Sequence, residues 1–305
     1  MADTSINLLL DKILNDFDNA AKLEVNEIEK LIAAFSKLMK KKPTLTRVKS
    51  GNALVVGDIH GDLSIMKSVI THFLANKKAK HLIFLGDIVD RGSNSIACVN
   101  LLFALMLKYP DKVHIVRGNH ESMSVNIRYG FLYEVQEFCG IERSPSYFTD
   151  TNNLPDLFIH FNDAFAKMPL ALIHEEFRYF FVHGGIPKNP LSLKEIAKLP
   201  KDDVNLTNPI TKQLLWNDPS EEVDHYSYNM RGDGIFVYGS DLVNQFLSLN
   251  NLQMIIRAHQ YFPDGFLYFF DNKLLCIFTS AEAYPGVQPK IALISEDGKI
   301  EFFSP

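Results

Sequence analysis

Apolar positions in the first part of the chain recur at helical spacing: Leu8, Leu9, Ile13 and Phe17, then Val25, Ile28, Leu31, Ile32 and Phe35. Lys37, Lys40, Lys41 and Lys42 follow, and Pro43 ends the pattern; the lysine run reads as a solvated helix end that complements the helix dipole. The pattern then changes. Leu54-Val55-Val56, Leu82-Ile83-Phe84-Leu85 and Val113-His114-Ile115-Val116 are short apolar runs that stop abruptly at residues 57–62 (GDIHGD), 86–92 (GDIVDRG) and 117–121 (RGNHE). An apolar run of about four residues that ends in Gly and Asp marks a buried strand stopping at a turn. Helical patterns lie between the runs: one over residues 63–75, with Asp62 as its cap, and one carrying Ile96, Val99, Leu102, Phe103 and Leu107 inward. This alternation predicts three adjacent parallel strands joined by right-handed crossovers, with their carboxyl ends on one edge of a sheet. Residues 122–170 read as mostly helical, with breaks near Ser144-Pro145 and Leu154-Pro155.

The second half is richer in strands. Phe177 to Val182 runs into His183-Gly184-Gly185, and Leu252 to Ile256 runs into Arg257-Ala258-His259. Between them, residues 186–234 are polar and rich in turns, and read as a surface layer over the carboxyl edge; a helix is expected near Ser240 to Leu249. Phe266 to Phe270, Leu274 to Thr279 and Ile291 to Ile294 alternate with turns, as in an antiparallel meander. The expected class is α/β: two mixed sheets packed face to face, helices outside, and a βαβαβ N-terminal core. A helical segment, 1–45, is expected to pack on a catalytic domain, 46–305.

Composition narrows this little. The 305 residues are 47% hydrophobic, enough for a large core, and the formal net charge of −5 gives no bulk attraction for nucleic acid. Cys98, Cys139 and Cys276 are odd in number and widely spaced, which fits a reducing compartment. No apolar run reaches membrane-spanning length and no signal-peptide pattern opens the chain, so a soluble cytoplasmic protein is expected.

Candidate chemistry gathers at the strand ends. Asp58, His60, Asp87, Asn119, His183 and His259 leave five strand ends, and their oxygen and imidazole donors suit divalent ions of moderate hardness. Asp58 and His60 can reach one ion if the loop curls, which Gly57 and Gly61 permit; the Asp87 carboxylate can bridge two. Two ions roughly 3.5–4 Å apart would clamp a phosphoryl group and a bridging water, whose pKa they would lower toward about 7. Asp90, Arg91 and His120 stand on the same loops. His72, His81, His114, His160, His174 and His225 read as core or surface histidines, and Arg117 with Glu121 as an ion pair holding a loop.

The motifs GDxHG, GDxVDRG and GNHE, at 57–61, 86–92 and 118–121, resemble those of the PPP family of serine/threonine protein phosphatases. The likeness continues in Tyr129-Gly130-Phe131, Val182-His183-Gly184-Gly185, residues 215–219 (LWNDP), Arg231-Gly232, residues 257–260 (RAHQ) and Ser280-Ala281 with Tyr284. It implies a metallophosphatase β-sandwich holding two metal ions (Mn, Fe or Zn). Asp58, His60 and Asp87 would bind one, and Asp87, Asn119, His183 and His259 the other. By the same resemblance Arg91 and Arg231 bind phosphate, Asn119 and Tyr284 border the substrate, and His120, oriented by Asp90, is the acid for the leaving alkoxide. The implied activity is hydrolysis of phosphoserine and phosphothreonine in proteins by attack of a metal-bridging hydroxide. The alternatives are a dinucleoside polyphosphate hydrolase, against which GDxVDRG and the segment 216–219 speak, and a non-catalytic phosphoprotein scaffold, against which His120 and the intact ligands speak. Phosphoproteins are the expected partners, with room for regulatory subunits that the sequence does not identify; nucleic acid and membrane are not. The chain departs from the family in having Asp62 where Gln is usual, and Ser-Ala-Glu-Ala-Tyr-Pro at 280–285 where SAPNYC is usual. The loop that follows, to Lys290, also looks shorter, and the C-terminus lacks the methylated Leu tail of the type 2A enzymes, so their toxin sensitivity and subunits do not transfer.

Overall fold

The computed structural model describes residues 2–75, 79–141 and 154–305. Its centre is a sandwich of two mixed sheets. One has five strands, in the order Ile300–Phe303, Ile291–Ile294, Ala53–Val56, His81–Phe84 and Val113–Ile115. The other has six, in the order Leu45–Val48, Ala171–His174, Tyr179–Val182, Met254–Arg257, Leu274–Ile277 and Phe266–Phe269. The three strands expected to be parallel are so, with Val55 opposite Ile83 and Ile83 opposite His114.

Period-two alternation divides each strand between two cores. Ala53, Val55, Ile83 and Leu85 face Leu172, Phe181, Ile256 and Ile277 across the sandwich. Leu54, Val56, Leu82 and Phe84 face outward into a helical layer, built on Ala2–Asn15, Val25–Lys41, Ser95–Lys108 and Asp156–Phe165. There Phe35 stacks on Phe103 with centroids 3.7 Å apart, so the N-terminal helices pack into the same core as the crossover helix. Behind the six-stranded sheet, Phe180, Val182 and Ile255 pack on Leu242, Val243 and Phe246 of the helix Ser240–Asn250. The result is four layers, helix–sheet–sheet–helix. Each fully buried aliphatic or aromatic side chain in them contributes about 1.5–3 kcal/mol of transfer free energy.

Several elements depart from expectation. The last strands are not a plain meander. Phe266–Phe269 does pair antiparallel with Leu274–Ile277, but Met254–Arg257 runs parallel to its neighbours, and Ile291–Ile294 crosses to the other sheet beside Ala53–Val56. A pattern of alternation shows which residues face inward, not which sheet they join. The strands Leu45–Val48, Ala171–His174 and Ile300–Phe303 were not expected, and the turn-rich span holds the helix Pro209–Trp216 and a small sheet of Asp218–Pro219, Phe236–Tyr238 and Tyr226–Tyr228. The break at Leu154-Pro155 is the start of the helix Asp156–Phe165; the one at Ser144-Pro145 lies outside the described residues. Among the described residues no helix is long and apolar enough to cross a membrane.

Candidate metal centre and phosphate pocket

The carboxyl ends of Ala53–Val56, His81–Phe84 and Val113–Ile115 meet those of Tyr179–Val182 and Met254–Arg257 along one edge, where Asp58 bridges to Phe278 across the two sheets. The loops there are tightly wound. His60, Asp87, Asp90, Arg91 and His259 all have left-handed backbone, with φ of 48°, 51°, 73°, 70° and 70°. Such conformations cost about 1–3 kcal/mol each for a residue with a side chain, and persist only where the surroundings fix them. Here the loops fix one another: the Ile59 and His60 N–H groups donate to the Asp87 carbonyl, and the Gly92 N–H donates to the His60 carbonyl. Gly118 permits the third loop to close in, because a Cβ there would lie 2.2 Å from Asp87 Oδ1.

Asp87 is the hub. Its Oδ2 lies 3.3 Å from His183 Nε2, 3.8 Å from His60 Nε2 and 3.9 Å from His120 Nε2. His183 Nε2 also lies 2.8 Å from Asn119 Oδ1 and 3.2 Å from His259 Nδ1. Asp58 Oδ2 is 3.9 Å from His60 Nε2, and Asp58 Oδ1 accepts the His259 N–H at 3.1 Å. The six sequence-derived ligand candidates therefore share one buried cluster. Two groups in it, His60 with Asp87 and His120, and Asp87 with His183 and His259, each bring one donor atom per residue within 4.8 Å of the others. The first group contains His120 where the sequence pointed to Asp58. His120 differs from the other histidines in its partner: its Nδ1 sits 2.6 Å from the Asp90 carboxylate, whereas the Nδ1 atoms of His60 and His183 meet the backbone carbonyls of Val89 and Leu85. A carbonyl fixes the neutral tautomer and leaves Nε2 as a donor atom for a metal; a carboxylate favours the charged ring.

The electrostatics are those of a site short of positive charge. Burial and then the neighbouring Asp87 push the Asp58 carboxyl up to about 7. Burial also works against ionised Asp87, but His183 and His120 outweigh it and hold that carboxyl well below the usual range. Burial and then His120 lower His60 to about 3, and burial with Arg231 and His183 keeps His259 neutral. For His120 burial opposes the charged ring, yet Asp87 and the bond to Asp90 outweigh it and raise its pKa. Two buried carboxyl groups, three imidazoles and an amide oxygen gathered in one cluster fit divalent cations.

Beside the cluster opens a cavity of about 230 Å³, lined by His60, Asp87, Arg91, His120, Arg231, His259, Gln260, Tyr261 and Tyr284. Arg91 Cζ lies 5.3 Å from the ring centre of Tyr129 and 5.2 Å from that of Tyr284. Arg231 Nε donates to Asp218 Oδ2 at 2.6 Å, and the other oxygen of Asp218 accepts from the fully buried Arg257 at 3.0 Å. Asp90 is gripped as well: its Oδ1 accepts the Phe131 N–H, and its own N–H donates to Ser95 Oγ.

Sequence reasoning missed Tyr261, Asp218 and the support given by Tyr129. Tyr261 follows the loop 257–260 directly, so its place after a strand end was the available signal. The expected Arg117–Glu121 ion pair is corrected: among the described residues no ion pair joins them. Arg117 Nε donates to the Glu121 carbonyl, while the Glu121 carboxylate accepts the N–H groups of Asp87, Ile88 and Gly118. The need that decides the arrangement is for an acceptor that satisfies three backbone N–H donors of these loops, which the residue types do not reveal.

The calcineurin-like phosphoesterase family model matches residues 51–263. A probable serine/threonine-protein phosphatase of Encephalitozoon cuniculi is 34% identical over 237 residues, covering 78% of this chain and 48% of that protein. A serine/threonine-protein phosphatase of Arabidopsis thaliana is 32% identical over 279 residues, covering 87% of this chain and 25% of that protein. The chain thus spans half or less of the length of these curated relatives. Two solved structures share the fold. A protein serine/threonine phosphatase from Saccharomyces cerevisiae superposes with a TM-score of 0.81 at 24% identity, over 98% of this chain and 96% of that one. A cold-active protein-tyrosine phosphatase of a psychrophilic Shewanella species superposes at 0.59 and 17%, over 87% and 83%.

Proposed function

We infer the activity from descent: the chain belongs to the calcineurin-like phosphoesterase family. It is a metal-dependent phosphomonoesterase that removes phosphate from phosphoserine and phosphothreonine in proteins, as the names of its relatives suggest. Asp58, His60 and Asp87 would hold one divalent ion, and Asp87, Asn119, His183 and His259 a second. Bound there, the ions would supply Lewis acidity and an activated water.

The observation that carries this reading is the His120–Asp90 pair, 2.6 Å apart, set between the ligand cluster and a cavity that holds two arginines. Arg91 and Arg231 bind and orient the phosphoryl group through their forked N–H donors. Tyr284 and Asn119 border the substrate. His120 holds a proton at Nε2 and delivers it to the departing serine or threonine alkoxide; Asp90 accepts the Nδ1–H and keeps the ring charged. An alkoxide leaves poorly, so a positioned acid is worth ~10²–10⁴-fold. The three cysteines are free, which fits a reducing, cytoplasmic setting.

The test uses leaving groups. His120→Asn should slow hydrolysis of a phosphoserine peptide far more than that of p-nitrophenyl phosphate, at unchanged metal content. Equal losses on both substrates would remove His120 as the acid. Faster turnover of diadenosine tetraphosphate than of any phosphopeptide would move the chain to a different substrate class.

A further inference from the structure

The loop that carries Tyr284 is tied down by two acids where the chain departs from the family pattern. Asp62 is buried and uses both oxygens: Oδ1 accepts the Ile65 N–H at 3.1 Å and caps the helix Leu63–Ala75, and Oδ2 accepts the N–H groups of Ala281 and Glu282, each at 3.0 Å. Glu282 reaches the other way. Its Oε1 accepts the Ser93 N–H at 3.1 Å and the Ser93 hydroxyl at 2.8 Å, two residues beyond Arg91. The 280–284 loop is thereby fastened to the His60 loop and to the Arg91 loop at once. Tyr284 also stacks on Tyr261, centroids 4.2 Å apart.

Among the described residues no carboxylate takes an N–H of the Arg91 guanidinium; the rings of Tyr129 and Tyr284 are what hold it. Rings grip a guanidinium by its faces and leave the in-plane donors free for an anion. The position of Arg91 therefore depends on Tyr284, and that of Tyr284 on the two acids. We propose that Asp62 and Glu282, neither of which lines the cavity, are positioning residues that set the phosphate affinity of the site by holding Tyr284 against Arg91. The proposal rests on the reading of Arg91 as a phosphate ligand.

The test is a double-mutant cycle on the whole 305-residue chain, manganese-loaded. Two constants are read: calorimetric affinity for inorganic phosphate, and KM for p-nitrophenyl phosphate. Glu282 is the residue to change, because it is exposed and the fold does not rest on it, whereas loss of Asp62 would also uncap a helix. Glu282→Ala should weaken phosphate binding about three- to fivefold, the worth of one exposed cation–π contact, and raise KM more than it lowers kcat. Glu282→Gln should restore most of the affinity, since Oε1 alone does the accepting. Tyr284→Leu should weaken binding similarly, and adding Glu282→Ala to it should cost nothing more. Phosphate affinity unchanged in Glu282→Ala, or losses that multiply in the double variant, would overturn the proposal while normal turnover by the unaltered chain left the proposed function standing. An unaltered chain that neither bound phosphate nor turned over substrate would sink both.

Discussion

The guanidinium of Arg91 lies 5.3 and 5.2 Å from the ring centres of Tyr129 and Tyr284 and lines the cavity, while that of Arg231 is pinned at its Nε by the carboxylate of Asp218. The loops differ in the same sense. Arg91 stands on a left-handed turn wedged between the His60 loop and the segment that begins at Ser93; Arg231 stands on an exposed turn where Asn229 accepts its N–H. Asp218 also neutralises the buried Arg257, so the hold on Arg231 reaches into the core, whereas the hold on Arg91 stays at the rim. Two arginines lining one cavity can thus be kept in place without competition for their remaining donors, but they should fail differently.

The largest difference should appear on removing the holders. Asp218→Ala strands the charge of Arg257, and breaking a buried pair from one side costs about 3–5 kcal/mol. We expect a sharp fall in Tm together with a raised KM. Tyr129→Leu, its counterpart on the other side, should leave Tm nearly unchanged and raise only KM. Removing the arginines comes next. Arg91→Ala should lower kcat by ~10²–10³, as loss of a donor to transition-state charge does, and raise KM as well. A change in KM alone would demote Arg91 to a docking contact.

Acidity should separate the two sides less strongly. Burial pushes Glu134, which accepts the Ser95 and Ile96 N–H groups at the end of the Arg91 loop, up to about 7. A carboxyl raised in the folded state stabilises fully below its unfolded pKa, and that stability is lost as pH rises through the folded value. Relative to Glu134→Gln, the native chain should therefore lose at most about 3 kcal/mol between pH 4.5 and pH 8. Denaturant midpoints of the two proteins that run parallel across this window would refute the assignment. The smallest effect should be that of Arg231→Lys: a few-fold in KM, since the point charge survives while the bond through Nε to Asp218 is lost.

Much of the sandwich was legible because strands buried on both faces appear as unbroken apolar runs, and the Gly-Asp stops at residues 57 and 86 and the Gly-Asn stop at 118 mark their carboxyl ends. His183 and His259 were legible on the same principle. Leu45–Val48 was not: it is four residues long, contains an exposed Arg47 and follows a lysine run, so nothing local distinguishes it from a linker. Its parallel partner Ala171–His174 is as short; that strand also pairs antiparallel with Tyr179–Val182, and Leu45–Val48 is extended only because it adds to this edge. Asp62 was legible as a helix cap and opaque as an anchor for the loop at 281–282, because the second role depends on a segment about 220 residues away.

The crossing of Ile291–Ile294 into the five-stranded sheet bears on how the chain reaches this state. Ala53–Val56 is an interior strand only once Ile291–Ile294 has paired with it antiparallel. Until then the βαβαβ unit, whose contacts are local, presents a bare apolar edge, and Asp58 waits for both the His259 N–H and the bridge to Phe278. Pairing over such a separation is slow, because loop-closure entropy must be overcome before any contact forms. During synthesis from the N-terminus, the strand that begins the metal cluster is thus among the last to be shielded, and its exposed edge is where a nascent or truncated chain would associate with another.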